Sequence, residues 1–251
     1  MAQPRSGPEQ AALQGVAPVA RSGFHFMSRQ TQAMQRDDTL NPGMLWVQDG
    51  LKTWGSRPAA GTSSCADCHG ASPAERLAQA AARHPAWDEA SGRPVNLGER
   101  VNLCRTRHQR ASAWAPDSAT LLGLEAALGH AARGQAMSPP ADPRLDPWRL
   151  RGQALWQQRM GQLNLSCAQC HDERAGARLG GSVIPPANAV GYPTYRLEWQ
   201  TLGPLQRRLR NCMSGVRAEA FASQAPEWVA LELFLAWRDR GLPMEAPAVR
   251  P

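Results

Sequence analysis

Two long stretches of the chain carry apolar residues at helical spacing, Leu121 to Arg133 and Trp228 to Arg240. Each is closed by a glycine, Gly134 or Gly241, placed to cap a helix C-terminus. No run alternates convincingly with period two, so no strand is predicted. Upstream of each stretch the same landmarks recur. Gly50 and Trp54 precede Cys65 by 15 and 11 residues, and Gly152 and Trp156 precede Cys167 by the same 15 and 11. A lone cysteine then follows in each half, Cys104 and Cys212, with Arg100 and Arg208 four residues before it. The pattern is a duplicated unit of about 100 residues. Each unit reads as helix, cysteine motif, long loops, helix. The expected class is all-α, two tandem domains over 31–140 and 141–251 preceded by an arm over 1–30. The Pro-rich stretch Met137 to Pro147 is the expected linker, where a helix cannot run.

Composition sharpens this outline. The 251 residues are enough for two small cores. Frequent proline (21) and glycine (22) fit a chain of short helices and many loops. Nine tryptophans against four phenylalanines and two tyrosines is unusual, and most of them read as core. The net charge is +7, almost all of it arginine, with Lys52 the single lysine. Arginine grips oxyanions with two prongs. No nucleic-acid-binding motif accompanies the charge, and no apolar stretch is long enough for a membrane span. The segment Met1 to Arg21 is polar and lacks the apolar run of a signal peptide. The chain is therefore read as a mature periplasmic form whose leader has been removed.

The chemistry lies in the six cysteines. Four of them form Cys65-Ala66-Asp67-Cys68-His69 and Cys167-Ala168-Gln169-Cys170-His171. CxxCH is the signature of covalent haem attachment. Two thiols one helical turn apart reach the two vinyl groups, and the adjacent histidine turns its ring to the iron. Two copies predict two haem c groups, with His69 and His171 as proximal ligands. A pair of zinc sites, or a disulfide-rich fold, leaves the histidine after each motif as coincidence. For the opposite face of each iron, Cys104 and Cys212 are the favoured candidates. An interdomain disulfide between them and two inert thiols are the alternatives. Met137 and Met244 are further candidates by symmetry; His25, His84, His108 and His130 have weaker claims. A thiolate ligand lowers the reduction potential. Arg207, Arg208, Arg210 and Arg217 crowd Cys212, where cations favour a thiolate and an anionic substrate. Arg100, Arg105 and Arg107 surround Cys104 in the same way, so charge alone does not single out Cys212.

With these residues in view, the chain resembles the SoxA family, the diheme subunits of the SoxAX cytochromes. The resemblance runs from about Ser22 onward. It rests on Asn41 to Trp46 (NPGMLW), both CxxCH motifs, both lone cysteines and the RxxxC segment from Arg208 to Cys212. It implies L-cysteine S-thiosulfotransferase activity: thiosulfate is oxidatively joined to a cysteine of a SoxYZ-type carrier protein, and electrons pass to a c-type cytochrome. It implies a smaller SoxX-type monohaem partner. It implies Cys104 and Cys212 as distal ligands, with Cys212 the catalytic cysteine, open to a persulfide form, and Arg208 lining its site. A diheme electron carrier without catalysis of its own is the main competing function, and a diheme peroxidase the other.

Overall fold

The computed structural model describes residues 21–59 and 62–251. The first twenty positions of the expected arm lie outside them. The described part begins with a 3-10 turn, Gly23–Phe26, and ten helices follow among the described residues. These are α1 Arg29–Arg36, α2 Met44–Gly55, α3 Cys65–His69, α4 Pro73–Arg76, α5 Leu97–His108, α6 Ala119–Ala131, α7 Asp146–Gln157, α8 Cys167–His171, α9 Leu205–Gly215 and α10 Pro226–Arg238. Seven short strands lie between them: β1 Ala86–Asp88, β2 Arg93–Val95, β3 Arg178–Leu179, β4 Ser182–Val183, β5 Thr194–Arg196, β6 Thr201–Gly203 and β7 Ala248–Arg250. The molecule is mostly helical, but the strands correct the strictly all-α expectation. Each has only two or three residues, too few for alternation to show in the sequence.

Each half is built on a crossed helix pair. In the first, α2 buries Val47, Gly50 and Trp54, one side of the helix, against α6. In the second, α7 buries Arg149, Gly152 and Trp156 against α10. The glycines permit the crossing. A methyl group on Gly50 would lie 2.0 Å from the Gly123 carbonyl oxygen, and one on Gly152 2.1 Å from that of Ala230. Backbone cannot yield like a flexible side chain. Either Gly50→Ala or Gly152→Ala is therefore expected to destabilise the protein by about 1–3 kcal/mol, read by denaturant unfolding.

The two long apolar runs form α6 and α10, each beginning two residues earlier than the sequence pattern suggests. Gly134 and Gly241 follow them with φ of +81° and +88°. The expected linker is partly helical. A 3-10 turn spans Pro143–Leu145, and α7 starts at Asp146 with Pro147 in its first turn, where a missing N–H costs nothing.

The halves meet about a pseudo-two-fold axis. Gly134 N–H donates to the Met244 carbonyl and Gly241 N–H to that of Met137, both at 2.9 Å. Met137 N–H donates to Leu242 O and Met244 N–H to Gln135 O, both at 2.8 Å. Met137 and Met244 are buried together here with Ala132 and Ala236, in the core between the halves. The segment resembling NPGMLW is a clasp: Asn41 is buried, donates from Nδ2 to Pro247 O at 2.9 Å, and accepts from Gly43 N–H. It holds the start of α2 to the C-terminal strand, which pairs in parallel with β5.

Beside the axis lies a cavity of about 660 Å³ lined by paired positions of the two halves, including Glu125 and Glu232. Glu125 sits at Gly98, in the first turn of α5. Glu232 accepts from Gln206 Nε2 of α9 at 2.9 Å and from Asn96 Nδ2, the α5 cap, at 3.2 Å. Burial, with the Glu232 charge adding to it, raises Glu125 to about 8; burial raises Glu232 to about 7. His84, Arg93, Glu99, Tyr192 and Arg210 are the other titratable or charged groups around the cavity. A carboxyl raised on folding gives stability that is intact below the unfolded value near 4.5 and lost as pH climbs through the folded one. Glu125→Gln is therefore expected to gain stability relative to the parent between pH 5 and 8, seen as a widening difference in Tm. A difference that stays constant with pH would contradict this.

Candidate functional site

Both CxxCH motifs form single-turn helices, and their neighbours explain why. Ser64 accepts from Asp67 N–H and Asp67 accepts from Ser64 N–H; Ser166 and Gln169 repeat this capping box in the second half. Each box fixes one turn, so the two thiols and the histidine that follows share a side of it. Trp54 and Trp156 then brace the histidines, with ring centroids 5.9 Å from His69 and 5.7 Å from His171. His171 Nδ1 lies 2.6 Å from the Pro185 carbonyl oxygen, which leaves Nε2 free to ligate. Burial, and then nearby arginines, depress both histidines, and a neutral ring is the ligating form.

The lone cysteines come to these motifs from α5 and α9. Cys65 is pushed up by burial and then by neighbouring Cys104. Cys167 is pushed up to about 11 by burial and then by neighbouring Cys212. Each lone cysteine thus stands by the motif of its own half. All six cysteines are free, so no disulfide joins the halves. Among the described residues no group of three or more Cys, His, Asp or Glu side chains forms a metal cage of the zinc kind. Apolar side chains surround both places. Leu124, Leu128, Leu77, Leu97 and Val101 pack with Trp54 and Cys65; Phe234, Leu235, Leu205 and Leu209 pack with Trp156 and Cys167. Two thiols on one turn, a neutral histidine, a further thiol and an apolar wall are a donor set that fits covalently held haem. Of the other sequence candidates, His130 is paired with Asp38 at 3.2 Å and both methionines lie in the core between the halves.

Charge separates the two places. Of the four arginines around Cys212, Arg207 stacks on Trp199 at 4.3 Å, Arg210 reaches Asp117 at 3.7 Å, and Arg217 is exposed near Gln162. Arg208 is the one whose charge bears on His171 and on Tyr192. It has no carboxylate partner among the described residues. Its counterpart Arg100 is bound to Asp88 at 2.7 Å, and Arg107 grips the same buried carboxylate at 2.8 Å. Asp88 ends β1. The matching residue at the end of β5 is Arg196. Arg196 has a side chain 12% exposed, meets only the exposed Glu198 as an ion partner among the described residues, and leaves its Nε without a hydrogen bond there. Arg196 and Arg208 both act on the buried Tyr192, as does Cys212. An acidic residue pairs with Arg100 in the first half; a second arginine takes that position in the second. Sequence reading found Arg208 but not Arg196, Asp88 or Tyr192. Aligning the halves at Cys104 and Cys212 puts Asp88 opposite Arg196 and was the available signal.

The model of the SoxA/TsdA cytochrome c domain matches residues 49–137 and again 151–244. A subunit named L-cysteine S-thiosulfotransferase subunit SoxA from Rhodovulum sulfidophilum is 34% identical over 92% of this chain and 80% of its own length. The one from Pseudaminobacter salicylatoxidans is 32% identical over 91% and 80%. The crystal structure of SoxXA from P. pantotrophus matches with a TM-score of 0.89 at 32% identity, over 96% of this chain and 90% of that one. The domain matches once in each half, on the helices that carry the CxxCH motifs and the lone cysteines, and the chain accordingly belongs to the SoxA/TsdA cytochrome c family.

Proposed function

We propose that this chain oxidatively conjugates thiosulfate to a cysteine of a SoxYZ-type carrier protein, with Cys212 as the sulfur that handles the substrate. Two haem c groups would be held, one by Cys65, Cys68, His69 and Cys104, the other by Cys167, Cys170, His171 and Cys212. Haem supplies one-electron redox chemistry when bound.

The residues of the second half supply the rest. Thiosulfate is a dianion, and Arg208 and Arg196 present guanidinium groups with no buried carboxylate between them. A sulfur–sulfur bond forms between Cys212 and the terminal sulfur of thiosulfate. One proton and two electrons leave, the electrons bound for a c-type cytochrome. The carrier thiolate then attacks that terminal sulfur, and Cys212 departs as thiolate, as in thiol–disulfide exchange. The sum is carrier thiol plus thiosulfate giving carrier S-thiosulfonate, one proton and two electrons.

The observation that carries the reading is the exchange of Asp88 for Arg196 at matching positions, which leaves Arg208 without the buried carboxylate that its counterpart Arg100 has. A SoxX-type monohaem subunit is the expected partner, in line with the SoxXA structure. CxxCH attachment in bacteria takes place outside the cytoplasm, so the periplasm is the expected location. No helix among the described residues is long and apolar enough to cross a membrane. The test is thiosulfate-dependent reduction of a c-type cytochrome by the purified complex with a SoxYZ-type carrier. Reduction is expected only when the carrier is present. Equal reduction without it, or none with it, would contradict the proposal.

A further inference from the structure

The two halves differ behind their motif histidines. The first half has small residues at four positions there: Gly70 after His69, Ala80, and Ala131 and Ala132 at the end of α6. The matching positions of the second half are Asp172, Asn188, Arg238 and Asp239. All four are engaged. Arg238 is 6% exposed, donates to Asp172 Oδ1, and donates to the Pro186 carbonyl at 3.3 Å. Its guanidinium lies 4.4 Å over the Trp156 ring. Trp156 Nε1 in turn donates to Asp172 Oδ2 at 2.6 Å. Asp239 is fully buried and accepts from Asn188 Nδ2 at 2.8 Å, from Ala189 N–H at 2.5 Å and from Val190 N–H at 3.3 Å. The end of α10 therefore pins the segment 186–190 at both ends. The residue just before it, Pro185, supplies the carbonyl 2.6 Å from His171 Nδ1. In the first half Trp54 Nε1 meets only the Gly70 backbone carbonyl, at 2.9 Å.

Burying a guanidinium and a carboxylate, Arg238 and Asp239, costs more than burying alanines. The network therefore does not follow from the needs of the fold, which the first half meets without it. What it touches is the outer hydrogen bond of a ligand histidine. Such a bond fixes the ring's orientation and sets how strongly the ring donates to the metal.

We propose that Arg238 is a positioning residue of the second redox centre: with Asp172 and Asp239 it fixes the Pro185 carbonyl on His171, so that this histidine is held more rigidly and donates more strongly than His69. The inference rests on the reading that His171 ligates haem. It makes the two centres unequal on the side away from the lone cysteines, in addition to the charge difference beside Cys212. A stronger donor favours the oxidised state, so the second centre has the lower potential on this account.

Asp172→Gly with Arg238→Ala gives the second half the residues that the first already has, and leaves the net charge unchanged. In the purified complex, potentiometry is expected to show one midpoint potential raised and the others unmoved. Electron paramagnetic resonance of the ferric protein is expected to show one low-spin signal broadened or shifted. Arg238→Lys keeps the charge, but an ammonium cannot span both acceptors. It is expected to broaden the same signal to a smaller degree, and serves if the double variant does not mature. Unchanged potentials and signals in variants carrying both haems, with only Tm lowered, would mean a merely structural role and would overturn the proposal. Absence of haem on the parent's Cys167–Cys170 peptide would instead remove the reading beneath it.

Discussion

Cys212→Ser is expected to lower thiosulfate-dependent turnover by about 10³-fold or more, the scale on which covalent catalysis fails without its nucleophile. Cys104→Ser is expected to keep most of the activity. The two cysteines occupy matching places on matching helices, each beside the motif of its own half. A serine in either place removes one sulfur from beside one CxxCH motif, so a purely electron-carrying protein would respond to the two changes alike. The account predicts an unequal response because the surroundings are unequal. Arg100 is held by Asp88 on the Cys104 side, and among the described residues no carboxylate pairs with Arg208 on the Cys212 side. Steady-state assays of both variants, with haem content checked by mass, decide the matter. Comparable losses in the two would show that Cys212 has no special part.

Arg196→Asp is expected to cut kcat/KM for thiosulfate by about 100-fold, equivalent to about 2.7 kcal/mol, mostly through KM. The change gives the second half the carboxylate that the first half has in Asp88. It removes one guanidinium from the site and supplies a partner that draws Arg208 away. Hydrogen bonds to charged groups are worth about 1.5–3 kcal/mol each, so losing both arginines as anion holders reaches this size. Arg196→Lys keeps the charge and is expected to lose less. The reciprocal change, Asp88→Asn, loosens the grip on Arg100 and Arg107. It is expected to lower stability and leave KM for thiosulfate unchanged. A normal KM in Arg196→Asp would mean that the anion is held elsewhere.

The sequence reading reached the parts that depend on local spacing. The CxxCH turns, the duplicated tryptophans and glycines, and the helices ended by Gly134 and Gly241 all carry a fixed periodicity or a terminating residue. It missed the strands because pairs such as β1 with β2 are three residues long and are defined by partner, not pattern. It treated all four arginines near Cys212 as one cluster. Their fates differ because side chains at successive helix positions point in different directions: Arg207 stacks on Trp199, while the charge of Arg208 acts on His171. It proposed Met137 and Met244 by symmetry, and symmetry is indeed what they serve, as the paired core where the halves join. The Glu125 and Glu232 pair was invisible because each looked like one polar residue in an apolar helix; only the assembled halves bring both to one cavity.

The central claim is that each half carries a covalently tethered haem, one of them beside a lone cysteine that does chemistry. Mass analysis of the peptides that contain Cys65–His69 and Cys167–His171, taken from the mature protein, tests it most directly. The account predicts one haem mass on each peptide. A peptide with two unmodified thiols at either motif would contradict it.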